Sequence, residues 1–262
     1  MSGWREFELE WTSYLNKKYG NFASFEHVGD ADSTVPDIKV TTDKRTFFIE
    51  VKKCPAQCGQ FVLFSNNETK GFIYSEQNIT PINKYSESIV KYMNNHYETF
   101  NQAGKRGENI IFDNAEEVFA KWIIETYQNK GVELIATNEH RLFPLNDLLK
   151  YFNVTAKYRI KRSGSRKIGI NNIKSVAAYI KKHFHLSSYQ SQDGRLFYQT
   201  QAIENKTKFI IKNNRYMFSK CSDGLEIKKL SNTNNKNVIF SVKLKKDAPK
   251  GMSSKKVEMY LK

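Results

Sequence analysis

Between Pro36 and Lys53 the chain reads PDIKVTTDKRTFFIEVKK, two alternating runs on either side of the turn signal Asp43-Lys44. Side chains alternate faces along a strand, so Phe47, Ile49 and Val51 share one face and Phe48, Glu50 and Lys52 the other. If the runs 36–42 and 46–52 pair as a hairpin, Asp37 returns toward Glu50 to Lys52, because these residues lie at the end away from the turn. Two carboxylates and an ammonium then converge at one sheet edge. No other stretch constrains the chain as tightly, because this one specifies a strand pair and a charged cluster together.

The flanking segments extend that hairpin into a larger unit. Trp4, Phe7, Trp11, Tyr14 and Leu15 recur at spacings of three and four, and Gly20 ends the pattern, so residues 4–19 read as a helix with one apolar face. Residues 22–28 add a third alternating run, and the three together read as an antiparallel meander. An extended stretch follows at 60–64. Helical patterns then appear at 83–100, through Ile89, Val90, Met93 and Tyr97, and at 114–129, through Val118, Phe119, Trp122, Ile123 and Tyr127, with the polar loop GKRGEN between them. The apolar run VELIAT at 132–137 and a short helix near 144–152 complete an α/β sheet whose middle strands are buried. Hydrophobic residues at 39% and aromatics at 13% are enough to bury a real core. No run approaches the roughly 18 to 20 apolar residues needed to span a bilayer, and the start MSGWREFELEW lacks a secretory pattern. Three cysteines make no disulfide framework, which fits a reducing cytoplasm.

Charge divides the chain unevenly. Of its 262 residues, those through Lys150 include 17 basic and 21 acidic side chains, and those after it 25 and 6, so a net +15 is the sum of −4 and +19. So dense a cationic block implies a polyanionic partner, and nucleic acid is the commonest in the cytoplasm; the alternative is a solvated, highly soluble surface. Within the block, KYRIKRSGSRKIGI at 157–170 alternates basic and apolar positions about Ser163-Gly164-Ser165 and suggests a basic β-hairpin. A two-stranded ribbon fits the major groove, which makes Arg159, Lys161, Arg162, Ser163, Ser165, Arg166 and Lys167 candidate DNA contacts. Lys105 and Arg106 of the GKRG loop are a second candidate. Residues 171–184 read as a helix with Ile173, Val176, Ala177 and Ile180 inward, and the remaining runs, ending in VEMYLK, as short strands. A boundary at 152/153 would leave residues 1–152 as one domain and 153–262 as a basic α+β DNA-recognition region.

Two acidic side chains can fix Mg²⁺, which keeps several waters and takes phosphate oxygens as further ligands, and an adjacent lysine can orient an attacking water. In its motif, Pro36-Asp37, twelve intervening residues, then Glu50-Val51-Lys52, the chain resembles the PD-(D/E)XK nuclease superfamily. The resemblance covers roughly residues 1–140, where the order of helix, three-strand meander, helix and strand also matches that superfamily's restriction-endonuclease-like core. It implies that Asp37 and Glu50 bind the metal, that the Val51 carbonyl adds a ligand and that Lys52 assists the water. The superfamily often adds a glutamate from the first helix. At 100° per residue Glu8 lies nearest the border of the apolar face and is the choice here, with Glu10 next, whereas Glu6 and Glu10 point further toward solvent. Any of the three can instead compensate the helix dipole.

A nuclease core joined to a basic region of about a hundred residues most resembles a type II restriction endonuclease. That resemblance implies Mg²⁺-dependent cleavage of double-stranded DNA at a short palindromic sequence by a homodimer, in a bacterial or archaeal cytoplasm, alongside a cognate DNA methyltransferase acting on the same site. The alternatives are a structure-specific nuclease, such as a Holliday junction resolvase or repair nuclease, and a DNA-binding protein with an inactive core. Cys54 and Cys58 lack a second ligand pair for zinc, and Cys221 reads as an incidental thiol. His183 and His185 suit a helix C-terminus or a phosphate, and Gln57 and Gln60 could touch DNA or support the site. The chain contains no phosphate loop, dinucleotide fingerprint or nucleophile elbow.

Overall fold

Trp11, Leu15 and Tyr19 are all buried, one helical turn apart, and in this computed structural model they form the stripe by which the first helix packs on a sheet. The structure describes residues 3–29, 35–162, 164–221 and 224–262. In chain order the elements begin α1 (Trp4–Tyr19), β1 (Ser24–His27), β2 (Ile38–Thr41), β3 (Thr46–Lys52), β4 (Ala56–Asn66), β5 (Gly71–Tyr74), α2 (Lys84–Asn95) and α3 (Tyr97–Asn101). They continue β6 (Glu108–Asn109), α4 (Ala115–Gln128), β7 (Val132–Thr137), β8 (Arg141–Pro144), α5 (Leu148–Tyr151) and β9 (Phe152–Arg162). Then come β10 (Ser165–Arg166), α6 (Ile173–Phe184), β11 (Gln190–Gln192), β12 (Arg195–Tyr198), β13 (Lys208–Ile211), β14 (Asn214–Cys221), β15 (Gly224–Leu230), β16 (Asn234–Leu244) and α7 (Ser254–Leu261). Among the described residues no helix is long and apolar enough to cross a membrane.

The chain forms two compact units, Met1–Arg159 with Lys236–Lys262, and Ile160–Asn235. The first contains a sheet of order β1-β2-β3-β7-β8. Strands β1, β2 and β3 form an antiparallel meander, and Ile38 lies opposite Ile49 and Val40 opposite Phe47. Strand β7 pairs parallel to β3, as strands joined by a long helical crossover do. Ile38, Val40, Phe47, Ile49 and Val51 face α1, and the alternate residue Phe48 packs into the opposite core. That core is built on α4, whose Phe119, Trp122, Ile123 and Tyr127 pack with Val132 and Ile135 of β7, Phe61 of β4 and Phe240 of β16. Strand β7 is buried on both faces, which explains why VELIAT is apolar almost throughout. The helical pattern at 83–100 is interrupted at His96, whose φ of −122° is not helical, and so forms α2 and α3.

A second sheet of the first unit has the order β5-β4-β16-β9-β6. It carries a correction to the hairpin expected at 157–170. Strand β9 is a single run of 11 residues with Phe152, Val154, Ala156 and Tyr158 turned into the core, and its neighbours are β6 and β16. Ser165 and Arg166 pair instead with Leu230 and Lys229 of β15. Alternation correctly marked the strand but could not name its partner. Ser163 and the side chain of Arg162 lie outside the described residues. The division into units also differs from a boundary at 152/153: β9 stays in the first unit through Arg159, and β16 returns to it by pairing with β4, Val238 opposite Phe61.

The final run, VEMYLK, is helical rather than extended. The Ser253 side chain accepts the Lys256 N–H at the start of α7, and Val257 and Leu261, four residues apart, are buried against the α1 core. The second unit contains a sheet of order β11-β12-β15-β14-β13, with α6 packing Val176, Ala177 and Ile180 against Leu196, Tyr198, Phe218 and Ile227.

Candidate active site

The β2–β3 register ends with Ile38 opposite Ile49, so Asp37 and Glu50 are the next residues of the two runs beyond that pair. Asp37 is held there by its own backbone, whose carbonyl accepts the N–H groups of Val28 and Gly29 at 3.0 Å each. A Cβ on Gly29 would stand 2.8 Å from Asp37 Cα, so only glycine allows this approach. The side chain completes the junction, Asp37 Oδ2 accepting the Val51 N–H at 2.7 Å.

Three oxygens converge on one cation. Lys52 Nζ donates to Glu50 Oε1 at 2.5 Å and to the Val51 carbonyl at 3.3 Å, and lies 3.8 Å from Asp37 Oδ2. Burial alone would pull this ammonium's pKa down, but the carboxylates of Glu50 and Asp37 hold it above the ordinary lysine value. Burial, followed by the nearby Glu50 charge, pushes the Asp37 carboxyl up to about 7, against the opposing pull of Lys52. One buried ammonium, that of Lys52, thus faces two carboxyl groups, Glu50 and Asp37.

Glu8 is the first-helix acid that α1 turns inward, with 6% of its surface exposed. Its Oε2 pairs with His27 Nε2 at 2.9 Å. Burial raises its pKa, the His27 bond opposes the rise, and the charges of Lys52 and Glu50 are also felt there. Glu6 instead accepts the Gly3 N–H at the helix start, and exposed Glu10 lies 3.7 Å from His140. His27 is the residue that sequence reasoning missed. It ends β1 and pairs across the sheet with Ile38, next to Asp37, while its partner Glu8 lies on α1.

A supporting layer fixes the end of β3. The Thr137 hydroxyl donates to the Lys52 carbonyl at 2.5 Å, and the Trp11 indole donates to the Thr137 carbonyl at 3.2 Å. Asn138 brackets Cys54, accepting its N–H at 3.1 Å and donating to its carbonyl at 3.0 Å. Cys58 is fully buried near Lys52, and burial pushes its thiol up to about 12, so it behaves as an inert core group. Cys54, Cys58 and Cys221 are free, and among the described residues no group of three or more His, Cys, Asp and Glu side chains is gathered to hold a metal.

The donor set fits a hard divalent cation of the Mg²⁺ kind. Such an ion needs only one or two carboxylates from the protein and keeps water and substrate oxygens in its other positions. Asp37, Glu50 and the Val51 carbonyl already surround one positive centre, the Lys52 ammonium, and a divalent cation bound there would oppose the burial and the Glu50 charge that push the Asp37 carboxyl up to about 7.

The candidate DNA contacts are divided between the two units. Lys105 and Arg106 are exposed in the first unit, where their loop crosses β9: a Cβ on Gly107, which has a φ of +73°, would stand 2.6 Å from the Tyr158 carbonyl. Arg159 belongs to the same unit, whereas Lys161, Ser165, Arg166 and Lys167 belong to the second. Gln57 donates to Gln60 at 3.1 Å on the exposed side of β4.

No family model matches the chain, and no match was found among the curated proteins. Among solved structures, an HhaI endonuclease in complex with DNA matches it over 99% of this chain and 98% of that one, with a TM-score of 0.80 and 32% sequence identity.

Proposed function

This chain belongs to the family of the HhaI endonuclease, and from that premise we propose that it is a Mg²⁺-dependent endonuclease that cuts double-stranded DNA at a short palindromic sequence, a type II restriction enzyme of the PD-(D/E)XK kind. The observation that carries the reading is the convergence of Asp37, Glu50 and the Val51 carbonyl on the Lys52 ammonium. The similarity to a DNA-bound endonuclease along nearly the whole chain supports the substrate class.

In this mechanism Asp37, Glu50 and the Val51 carbonyl would hold the divalent cation. When bound, the cation supplies Lewis-acid stabilisation of the charge that develops on the scissile phosphate. Lys52 exchanges its contact with Glu50 for the attacking water and the phosphate, orienting one and screening the other. Glu8, held by His27, provides a further acceptor at the site. The enzyme acts as a homodimer whose two sites address the two strands, as a palindromic target requires. It works in the cytoplasm of a cell whose own copies of the sequence are protected by a cognate methyltransferase.

Incubating plasmid with the protein and Mg²⁺ tests the reading. Discrete fragments that depend on Mg²⁺ support it. Cleavage confined to branched substrates would assign a structure-specific nuclease, and retardation without cleavage an inactive DNA-binding protein.

A further inference from the structure

Lys105 and Arg106 stand more than 50 residues before Lys157 and Arg159 in the chain, yet the fold places both pairs at one location. Strand β6 pairs with β9, Glu108 opposite Tyr158 and Asn109 opposite Lys157, so the GKRG loop immediately before it is laid across the end of β9. The close approach at Gly107 allows this: a Cβ there would run into the Arg159 side chain as well as the Tyr158 carbonyl. Because Tyr158 turns into the core, Lys157 and Arg159 turn the other way, toward solvent. None of the ion pairs among the described residues uses any of these four cations.

Two of the four cations, Lys157 and Arg159, enter a groove of mixed character within the first unit, where Ile110, Ile111 and Phe119 lie among the polar groups. Lys157 and Arg159 line a cleft of about 640 Å³ together with Gln57 at the start of β4 and Ser241 of β16, which are paired across the sheet. The carboxylate in the cleft, Glu116, is occupied, accepting the Val154 N–H at 2.8 Å. Gln57 follows Lys52 by five residues in the chain. Cations beside the amide of Gln57 and the hydroxyl of Ser241 are a combination that duplex DNA meets, cations holding phosphates and neutral polar groups meeting base edges.

We infer that this groove is a DNA-contacting surface of the first unit, separate from the basic second unit, with Lys105, Arg106, Lys157 and Arg159 on phosphates and Gln57 and Ser241 toward the bases. The inference rests on the reading of the chain as a DNA endonuclease, and it adds a second source of affinity to the one expected of residues 160–235.

The test is the binding of the full-length protein to a duplex in EDTA, where no cleavage occurs, over a series of salt concentrations. Each phosphate contact removed lowers the slope of log K against log salt by about 0.9, so a Lys105→Ala/Arg106→Ala/Arg159→Ala variant is expected to lose about 2 to 3 units of slope. A variant with Arg159→Lys and the other cations intact keeps its slope. Gln57→Ala leaves the slope unchanged and alters preference among duplexes of different sequence. All three positions are exposed or half-exposed, and melting curves matching wild type establish that the triple variant is folded. An unchanged slope in a folded triple variant would overturn the inference. Because the measurement needs no cleavage, a protein that binds through this groove but never cuts would refute the enzymatic reading alone.

Discussion

Replacing Asp37 by asparagine isolates the electrostatic tension of the site. The Asp37 carboxyl is buried beside Glu50, and its pKa stands at about 7 rather than 3.8. In the unfolded chain the group ionises near pH 4, so between about pH 4 and 7 the folded protein binds a proton that the unfolded one has released. The raised folded pKa means that stability is lost as pH rises through this window and is level again above it. At about 1.4 kcal/mol per unit, the loss reaches roughly 4 kcal/mol if Lys52 and Glu50 keep their positions, and less if they re-pair around the ionised group. Asparagine removes the titration. Urea melts of both proteins from pH 4 to 8, in EDTA, should therefore show the wild type falling relative to Asp37→Asn by about 2 to 4 kcal/mol and levelling near pH 7. Adding Mg²⁺ should restore wild-type stability at pH 7.5 and leave the variant unchanged, because the cation replaces the proton. Parallel pH profiles of the two proteins would refute the account of Asp37, and Mg²⁺ stabilising both equally would refute its assignment as a ligand.

Other perturbations probe the surrounding groups. Lys52→Ala should abolish cleavage while DNA affinity in EDTA stays within a few-fold of wild type; cutting at the wild-type rate would remove Lys52 from the mechanism. His27→Ala should lower the cleavage rate by about 10- to 100-fold, as removal of a positioning partner does, without changing DNA affinity. His27→Gln, which keeps a donor toward Glu8, should recover much of that loss, and equal rates for the two variants would show that the Glu8–His27 bond plays no part. With Mg²⁺ limiting, cleavage should rise with pH through about 7 as Asp37 loses its proton, and the midpoint should move lower as Mg²⁺ is raised; a midpoint indifferent to Mg²⁺ would contradict the competition. Trp122→Ala should cost about 3 to 5 kcal/mol in urea melts, because Trp122 is completely buried and stacks on Phe240 with ring centroids 4.2 Å apart.

Legibility in the sequence followed the range of the interactions. The α1 stripe, the β2–β3 pair and the apolar β7 were readable because each depends on spacing within one segment or across one short turn. The same local geometry brings Asp37, Glu50 and Lys52 together, and the helical period alone separated Glu8 from Glu6 and Glu10. His27 escaped because its partner lies on a different element, 19 residues away. VEMYLK was misread as a strand because its helix depends on the Ser253 cap and on a stripe of only two residues, Val257 and Leu261.

The positive charge shows the limit most plainly. The sequence by itself determined that the excess lies after residue 150, since that is a property of the chain's order. Only the tertiary structure decided which body carries it. Residues 160–235 hold 15 basic and 4 acidic side chains, a net of +11, while the returning residues 236–262 hold 8 and 2 and give their +6 to the unit that contains Asp37, Glu50 and Lys52. That return is made by β16 pairing with β4 across more than 170 residues of chain, as in Val238 with Phe61. The pairing is selected by burying Val238, Phe240 and Val242 in the α4 core. Alternation within a strand records which side chains are buried, but the strand beside it is chosen by the packing of the whole unit.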